Sequence, residues 1–292
     1  MKIIYIDKKS LGSLKENIQT EASIGFEPGG DGYAHVTDIS EDIDPEDVDL
    51  SSFKLKNSLN PKFWKDGKLD SRIRLKLLDI ADDFIEFLGT DWVDTEDIIM
   101  TGSLANYNWS PKFSDIDLHI IMDYETIDER TELVERFLKA QTMLWNNEHE
   151  DLKICGFPVE IYVQDKDAEL RAGGVYSLEK NEWIKEPEKD DLKTDGMNRK
   201  WIQKKVAKYM DSIDSLVNRY KRAKEDEYKL ERIDLSAEKI FKDIKDTRAK
   251  GFEENGGEMN DRNIVFKALR RTGYLQKISD LRKNVYNKLN SL

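Results

Sequence analysis

The sequence predicts an α+β fold: a small mixed sheet with helices, followed by a mostly α-helical domain. Three observations lead there. Short apolar runs of strand length alternate with amphipathic helical patterns between about residues 57 and 190. Beyond residue 190 the pattern changes to long, highly charged helical stretches. Hydrophobic residues make up 38 % of the chain, enough for a sizeable core although 36 % of it is charged. The expected division is an irregular, partly acidic leader over 1–56, a sheet-containing domain over 57–190, and a helical domain with a basic C-terminal stretch over 191–292.

In the leader, Lys2 to Ile6 can form one strand. Pro28-Gly29-Gly30-Asp31-Gly32 follows, then an acidic run from Asp38 to Asp49 without a Lys or Arg. Such composition offers little apolar surface to offset ordering entropy, so it predicts a solvated loop or flexible arm. A helix then starts at the caps offered by Asp70 and Ser71. Ile73, Leu77, Ile80, Ala81, Phe84 and Leu88 recur at helical spacing, and Gly89 supplies the stop. Asp97 to Thr101 is a short buried strand ending in Gly102-Ser103, and Asp115 to Met122 alternates as a second strand. Thr126 to about Asn147 is a helix with Leu133, Phe137, Ala140 and Leu144 on its apolar side. Asp151 to Val163 is a hairpin with Cys155-Gly156-Phe157-Pro158 at its turn. The helical domain, with Trp201, Val206, Met210, Ile213, Leu216 and Val217 as core, runs to Lys250. A break at Gly251 to Gly257 precedes a last helical stretch from Asp261.

The net charge of −12 over 292 residues excludes a protein that coats nucleic acid with its whole surface. It leaves room for one acting on a nucleotide or an RNA end through a local basic patch. The single cysteine, Cys155, allows no internal disulfide and fits a reducing compartment. No run approaches the roughly 18 apolar residues of a membrane span, and the N-terminal apolar run is too short for a signal peptide. The expectation is a cytoplasmic protein with no membrane partner.

The chemistry sits between Gly102 and His119. Gly102-Ser103 follows a strand, where glycine lets backbone approach a phosphate and the serine hydroxyl and helix-start amides can donate to it. An ordinary strand-to-helix turn has the same appearance. Asp115 and Asp117 lie two apart on a strand, so they share a face. The other face, Ile116, Leu118, Ile120 and Met122, is apolar as in a strand packed on a core. Two carboxylates side by side repel unless a cation lies between them, which a magnesium site supplies. Glu160, set among Val159, Ile161, Tyr162 and Val163, is costly to bury unpaired and completes a three-carboxylate set if its strand lies beside the first.

Gly-Ser, eleven residues, Asp-Ile-Asp-Leu and a later Val-Glu-Ile strand together resemble the signature of the DNA polymerase β-type nucleotidyltransferase superfamily. Leu59 to Trp64, Thr101 to Trp109, Ser114 to His119, Val159 to Asp165 and Gly174 to Leu178 are more closely similar to predicted nucleotidyltransferases of tailed phages. So are Asn263 to Lys267 and Arg270-Arg271; the first fifty residues are unmatched. The resemblance implies a polymerase β-type core over 57–190, and two Mg2+ (or Mn2+) ions held by Asp115, Asp117 and Glu160, which are also the expected catalytic residues. It implies transfer of a nucleoside monophosphate from a nucleoside triphosphate, ATP among the candidates, to an acceptor hydroxyl, with an RNA 3′ end as the first expectation. In a phage, the compartment is the host cytoplasm. Two other readings stay open: a catalytically silent nucleotide sensor or toxin- or defence-neutralising binding protein, and a virion-associated structural protein.

Gly102, Ser103, Ser114, Tyr176, Lys267, Arg270 and Arg271 are the expected nucleotide-binding residues. Tyr107, Trp109 and Tyr176 can stack on a base, though packing is the plainer role of each. His119 shares the face of Asp115 and Asp117 and can reach a phosphate or support its neighbours. His35, His149 and Cys155 need no functional explanation. Residues 262–292 hold eight Lys and Arg against Asp280 alone. That stretch either neutralises the acidic body or grips triphosphate or an acceptor's backbone.

Overall fold

The computed structural model of the chain describes residues 42–89, 94–189, 196–254 and 257–291. The strand expected at 2–6, the glycine-rich segment at 28–32, His35, the start of the acidic run and the domain boundary near 190 lie outside the described residues. The fold is mixed α+β, with a small sheet and helices followed by a helical C-terminal part.

A two-stranded hairpin, β1 (Trp64–Lys65) and β2 (Lys68–Leu69), turns at Asp66 and Gly67, both at positive φ. It feeds α1 (Ser71–Leu88). Asp70 caps that helix by accepting from the Arg72 and Ile73 amides, and Gly89, at φ 63°, closes it. A six-stranded mixed sheet follows. It is built from β3 (Thr95–Thr101), β4 (Ile116–Met122), β5 (Lys153–Ile154), β6 (Phe157–Asp165), β7 (Val175–Ser177) and β8 (Glu182–Lys185), in the order β5-β6-β4-β3-β7-β8. Only β4 and β6 run parallel. Between them lie α2 (Tyr124–Ile127) and α3 (Thr131–Glu148), the crossover that a parallel pair requires.

Strand alternation divides the sheet into two faces. Ile98, Met100, Ile116, Leu118, Ile120, Met122, Val159 and Ile161 are buried on one face, in a single core with the inner sides of α1 and α3. Asp115, Asp117 and His119 therefore project to the other. The hairpin turn is Cys155-Gly156, both at positive φ, while Phe157 and Pro158 already belong to β6.

Helix α3 differs from the expected one in its register. Val134, Leu138, Thr142 and Trp145 are buried, and Leu133, Phe137 and Leu144 are exposed. The sequence carries two neighbouring apolar rows, and periodicity cannot choose between them. Trp145 decides the matter by packing edge-on against Phe84 at 5.5 Å between ring centres.

The helical part consists of α4 (Arg199–Ala223), α5 (Glu227–Glu253), α6 (Asp261–Arg271) and α7 (Tyr274–Asn290). The break expected over Gly251 to Gly257 begins later: α5 runs through Gly251 to Glu253, and α6 starts at Asp261. A Cβ at Gly251 would lie 2.3 Å from Asn260 Oδ1, so glycine here permits close approach of the next segment. The leader also departs from expectation where it is described. Val48, Leu50 and Phe53 are buried in the helical core with Val206, Met210 and Ala268. Val48 within the acidic run and Leu50 and Phe53 just beyond it dock this segment.

Candidate active site

The parallel register of β4 and β6 sets Asp117 directly opposite Glu160. Asp115 precedes β4 by one residue, on the same face as Asp117. The three carboxylates each bring an oxygen within 4.8 Å of the others. The structure thus brings together the set expected from sequence, and hard oxygen donors so placed can hold a divalent cation.

The electrostatics agree with that chemistry. The Asp117 carboxyl is pushed well above the usual carboxylate range, by burial first and then by Asp115, Glu160 and Glu258, while Arg270 pulls it back. Asp115 is raised as well, by burial and Glu160, against Arg270 and Lys267. Clustered carboxylates that resist ionisation when alone are what a cation relieves. Glu160 is oriented by Tyr162, whose hydroxyl donates to Glu160 Oε2 at 2.5 Å. Burial, and then this bond to a carboxylate, drive the Tyr162 phenol well up, so Tyr162 stays a donor.

Gly102 lies against Asp117. It sits at φ 73° and ψ −160°, a region open to glycine almost alone. A Cβ there would fall 1.6 Å from Asp117 Oδ2. Ser103 Oγ is 2.7 Å from Ser114 Oγ, which accepts from the Ser110 amide at 2.8 Å. When Ser114 donates to Ser103, the Ser103 proton is free for a phosphate oxygen. Ser114 itself is buried, with its hydroxyl set against Ser103. The expected helix start is one 3-10 turn, Ser103–Ala105, which supplies loop amides without a helix dipole.

Tyr176 is misplaced in the sequence reading. It is fully buried, edge-on to Trp64 at 5.0 Å and to Trp183 at 5.0 Å, and its hydroxyl donates to Asn181. No ring face remains for a base. Trp109 packs against the core and donates to Ser58 O, and the Lys56 ammonium lies over its ring. Tyr107 packs against the helical core with Lys189 over it. His119 lies on the open face, stacked on Tyr162 and bonded through Nδ1 to Gln164. Burial takes its pKa down to about 4, so it is a neutral partner at neutral pH.

Helix α6 brings its cations to the carboxylates, as the field of Arg270 and Lys267 on Asp115 shows. Arg271 is held differently. Its guanidinium lies 4.0 Å over Phe53 and 4.9 Å from the Phe113 ring centre, and it donates to Ser52 Oγ at 2.8 Å. It ties the leader, the loop before Asp115 and α6 together.

Glu258 is the site residue that sequence reasoning missed. It accepts from Asn108 Nδ2 at 2.7 Å and pairs with Lys267 Nζ at 3.4 Å. Burial opposes its ionisation, but Lys267, Asn108 and Arg248 outweigh it and leave its pKa lowered. No local spacing marks Glu258; only the packing of the Gly257–Asn260 segment onto the loop before Asp115 does. We expect Glu258→Gln to destabilise the fold by about 1–2 kcal/mol, since both partners of the ion pair are less than one-third exposed. A urea midpoint within error of the parent would contradict this.

No family model matches the chain, and no curated protein sequence matches it. Among solved structures, the STING-associated CdnE c-di-GMP synthase from Capnocytophaga granulosa is similar at 15 % identity, covering 75 % of this chain and 84 % of that one. The TM-score is 0.22, and nothing further is built on that likeness. None of the described helices is long and apolar enough to cross a membrane.

Proposed function

We propose that this chain is a metal-dependent nucleotidyltransferase that moves a nucleoside monophosphate from a nucleoside triphosphate to an acceptor hydroxyl, with an RNA 3′ end as acceptor. The observation that carries the reading is the convergence of Asp115, Asp117 and Glu160 within 4.8 Å, on two strands whose register pairs Asp117 with Glu160. The spacing of Gly102-Ser103, Asp115-Ile116-Asp117 and Val159-Glu160-Ile161, which resembles the nucleotidyltransferase motif, supports it. Residues 57–190 would form the catalytic domain and 191–292 the helical one.

The three carboxylates would hold Mg2+ or Mn2+, two ions in all. When bound, these ions lower the pKa of the attacking hydroxyl and neutralise charge on the leaving pyrophosphate. Every other role falls to the chain. Asp117 and Asp115 offer ligand oxygens on β4. Glu160 keeps Oε1 for the same purpose while Tyr162 occupies Oε2. Gly102 leaves room for the Asp117 carboxylate, and Ser103 donates to a phosphate oxygen. Lys267 and Arg270 balance the remaining phosphate charge across from the acids, and Arg271 holds the loop that carries Asp115.

Turnover is tested by incubating the protein with each labelled ribonucleoside triphosphate, Mg2+ or Mn2+, and total RNA or protein, then following the label. Metal-dependent label in RNA is the expected outcome. Label in protein would keep the transferase and discard the RNA acceptor. Binding is tested apart from turnover. Mg2+ with a triphosphate at about 100 times Kd should add about 2.7 kcal/mol of stability by mass action, raising Tm by several degrees. A flat melting temperature at millimolar ligand would remove the nucleotide site.

A further inference from the structure

The rung of β4 and β6 next to the carboxylates holds a pair that the catalytic reading leaves largely unused. Asp117 faces Glu160, and two residues further along the same face His119 is opposite Tyr162. The two rings are stacked, 5.0 Å apart at 27°. His119 is fixed in its turn. Gln164 gives its amide to Ala168 O, which leaves its carbonyl Oε1 to accept from His119 Nδ1 at 3.2 Å. Tyr162 is 37 % exposed, so water could satisfy its hydroxyl. The hydroxyl turns inward instead and donates to Glu160 Oε2 at 2.5 Å, the length of a bond to an ionised carboxylate. Among the described residues no other side chain donates to Asp115, Asp117 or Glu160. Glu160 alone enters the site with one oxygen taken. Packing does not require this, because phenylalanine would stack on His119 equally well.

We propose that Tyr162 is a positioning residue that limits Glu160 to one ligand oxygen, and so biases the site toward a small octahedral cation such as Mg2+ and against a larger one such as Ca2+. The proposal rests on the metal-dependent reading of the same site and deepens it. Mg2+ asks for near-ideal octahedral geometry with oxygens at about 2.0–2.1 Å. The two oxygens of one carboxylate subtend far less than the right angle of an octahedron, so Mg2+ suits carboxylates that give one oxygen each. Ca2+ takes about six to eight oxygens at roughly 2.3–2.6 Å and accepts both from one carboxylate. A free Glu160 Oε2 would offer a second oxygen to either ion, and only the larger has use for it. The spacing of the three acids cannot make this choice, since hard oxygens so placed accept both cations. The bond from Tyr162 can.

The experiment titrates the full chain by calorimetry with Mg2+ alone and with Ca2+ alone, without nucleotide, and compares the parent with Tyr162→Phe. Partners that orient a metal ligand are typically worth about 10–100-fold in affinity. Tyr162→Phe should weaken Mg2+ by about tenfold while Ca2+ holds or tightens, so the ratio of the two Kd values moves at least about tenfold toward Ca2+. The ratio is the diagnostic quantity, because a site merely loosened would lose both ions alike. His119→Ala keeps the hydroxyl but removes the ring that steadies it, and should move the ratio the same way by a smaller factor. If that variant does not fold, Tyr162→Phe, which keeps its own ring, carries the test. Asp117→Asn should remove binding of both ions, which ties the titration to these carboxylates. An unchanged ratio in Tyr162→Phe, with both ions weakened equally or not at all, would overturn the selectivity role and leave the metal site standing. Binding that survives Asp117→Asn would place the measured ion elsewhere and overturn it too. Failure of the parent to bind either ion would remove the metal-dependent reading and this one with it.

Discussion

Replacing Asp117 with Asn should abolish metal-dependent transfer while making the metal-free protein more stable. Asp117 lies opposite Glu160 and two residues from Asp115, with ligand oxygens of all three within 4.8 Å of one another. Losing its charge removes one of the three oxygen donors of the proposed metal site. We expect turnover to fall by about 10³-fold or more, on the order of 4 kcal/mol of transition-state stabilisation. Stability should move the other way, because the folded protein crowds this carboxylate. Its pKa is raised, by burial and then by its neighbours, so the folded state holds the proton more tightly than the unfolded chain. Stability from this group is full below the ordinary carboxylate range and is lost as pH rises through the raised folded value. At neutral pH, Asn should therefore raise Tm by about 2–4 °C, for roughly 1 kcal/mol in a chain of this size. Mg2+ should close the gap by stabilising the parent only. Turnover within a few-fold of the parent would remove Asp117 from the machinery, and a lower Tm would show that its carboxylate supports the fold.

That opposition explains why the acidic set was legible in sequence. Ile116, Leu118, Ile120 and Met122 give the strand a reason to be buried on one face, which leaves Asp115 and Asp117 together on the other. Strand parity carried this much without any long-range information. Helix α1 was equally legible, because Asp70 and Gly89 mark its ends and its apolar row has no rival. Helix α3 was not, since Leu133-Phe137-Leu144 and Val134-Leu138-Trp145 compete at the same spacing, and only the sheet beneath selects one. The short strands β1, β2, β7 and β8 have too few residues to show a period. Tyr176 was misread because an aromatic ring in a matching segment looks the same whether it packs edge-on against Trp64 and Trp183 or stacks on a base. Glu258 was invisible for the opposite reason: it gains meaning only through Asn108, 150 residues away in sequence.

Gly102→Ala should damage stability and activity together, and the damage should depend on what stands at position 117. Two costs add at this residue. The backbone at φ 73° and ψ −160° is strained for any side chain, at about 1–3 kcal/mol. The new Cβ would also fall 1.6 Å from Asp117 Oδ2 and 2.6 Å from its Cγ, so β3, β4 or the carboxylate must move. Overpacking of that kind adds about 1–3 kcal/mol. The carboxylate is the softest of the three, and its displacement breaks the geometry set against Glu160, so transfer should drop by about 10²-fold or more. The Asp117→Ala background separates the two costs. There the colliding oxygen and Cγ are gone, and only the Cβ remains, 3.2 Å away and able to yield by a few tenths of an ångström. Gly102→Ala should then cost about 1–3 kcal/mol less than in the parent, a coupling readable from the four urea midpoints of a double-mutant cycle. Additive costs would mean that Asp117 does not lie against Gly102, and the packing of the strand end onto that carboxylate would have to be redrawn. Coupling with intact turnover in Gly102→Ala would instead show that the carboxylate can move and still serve the reaction.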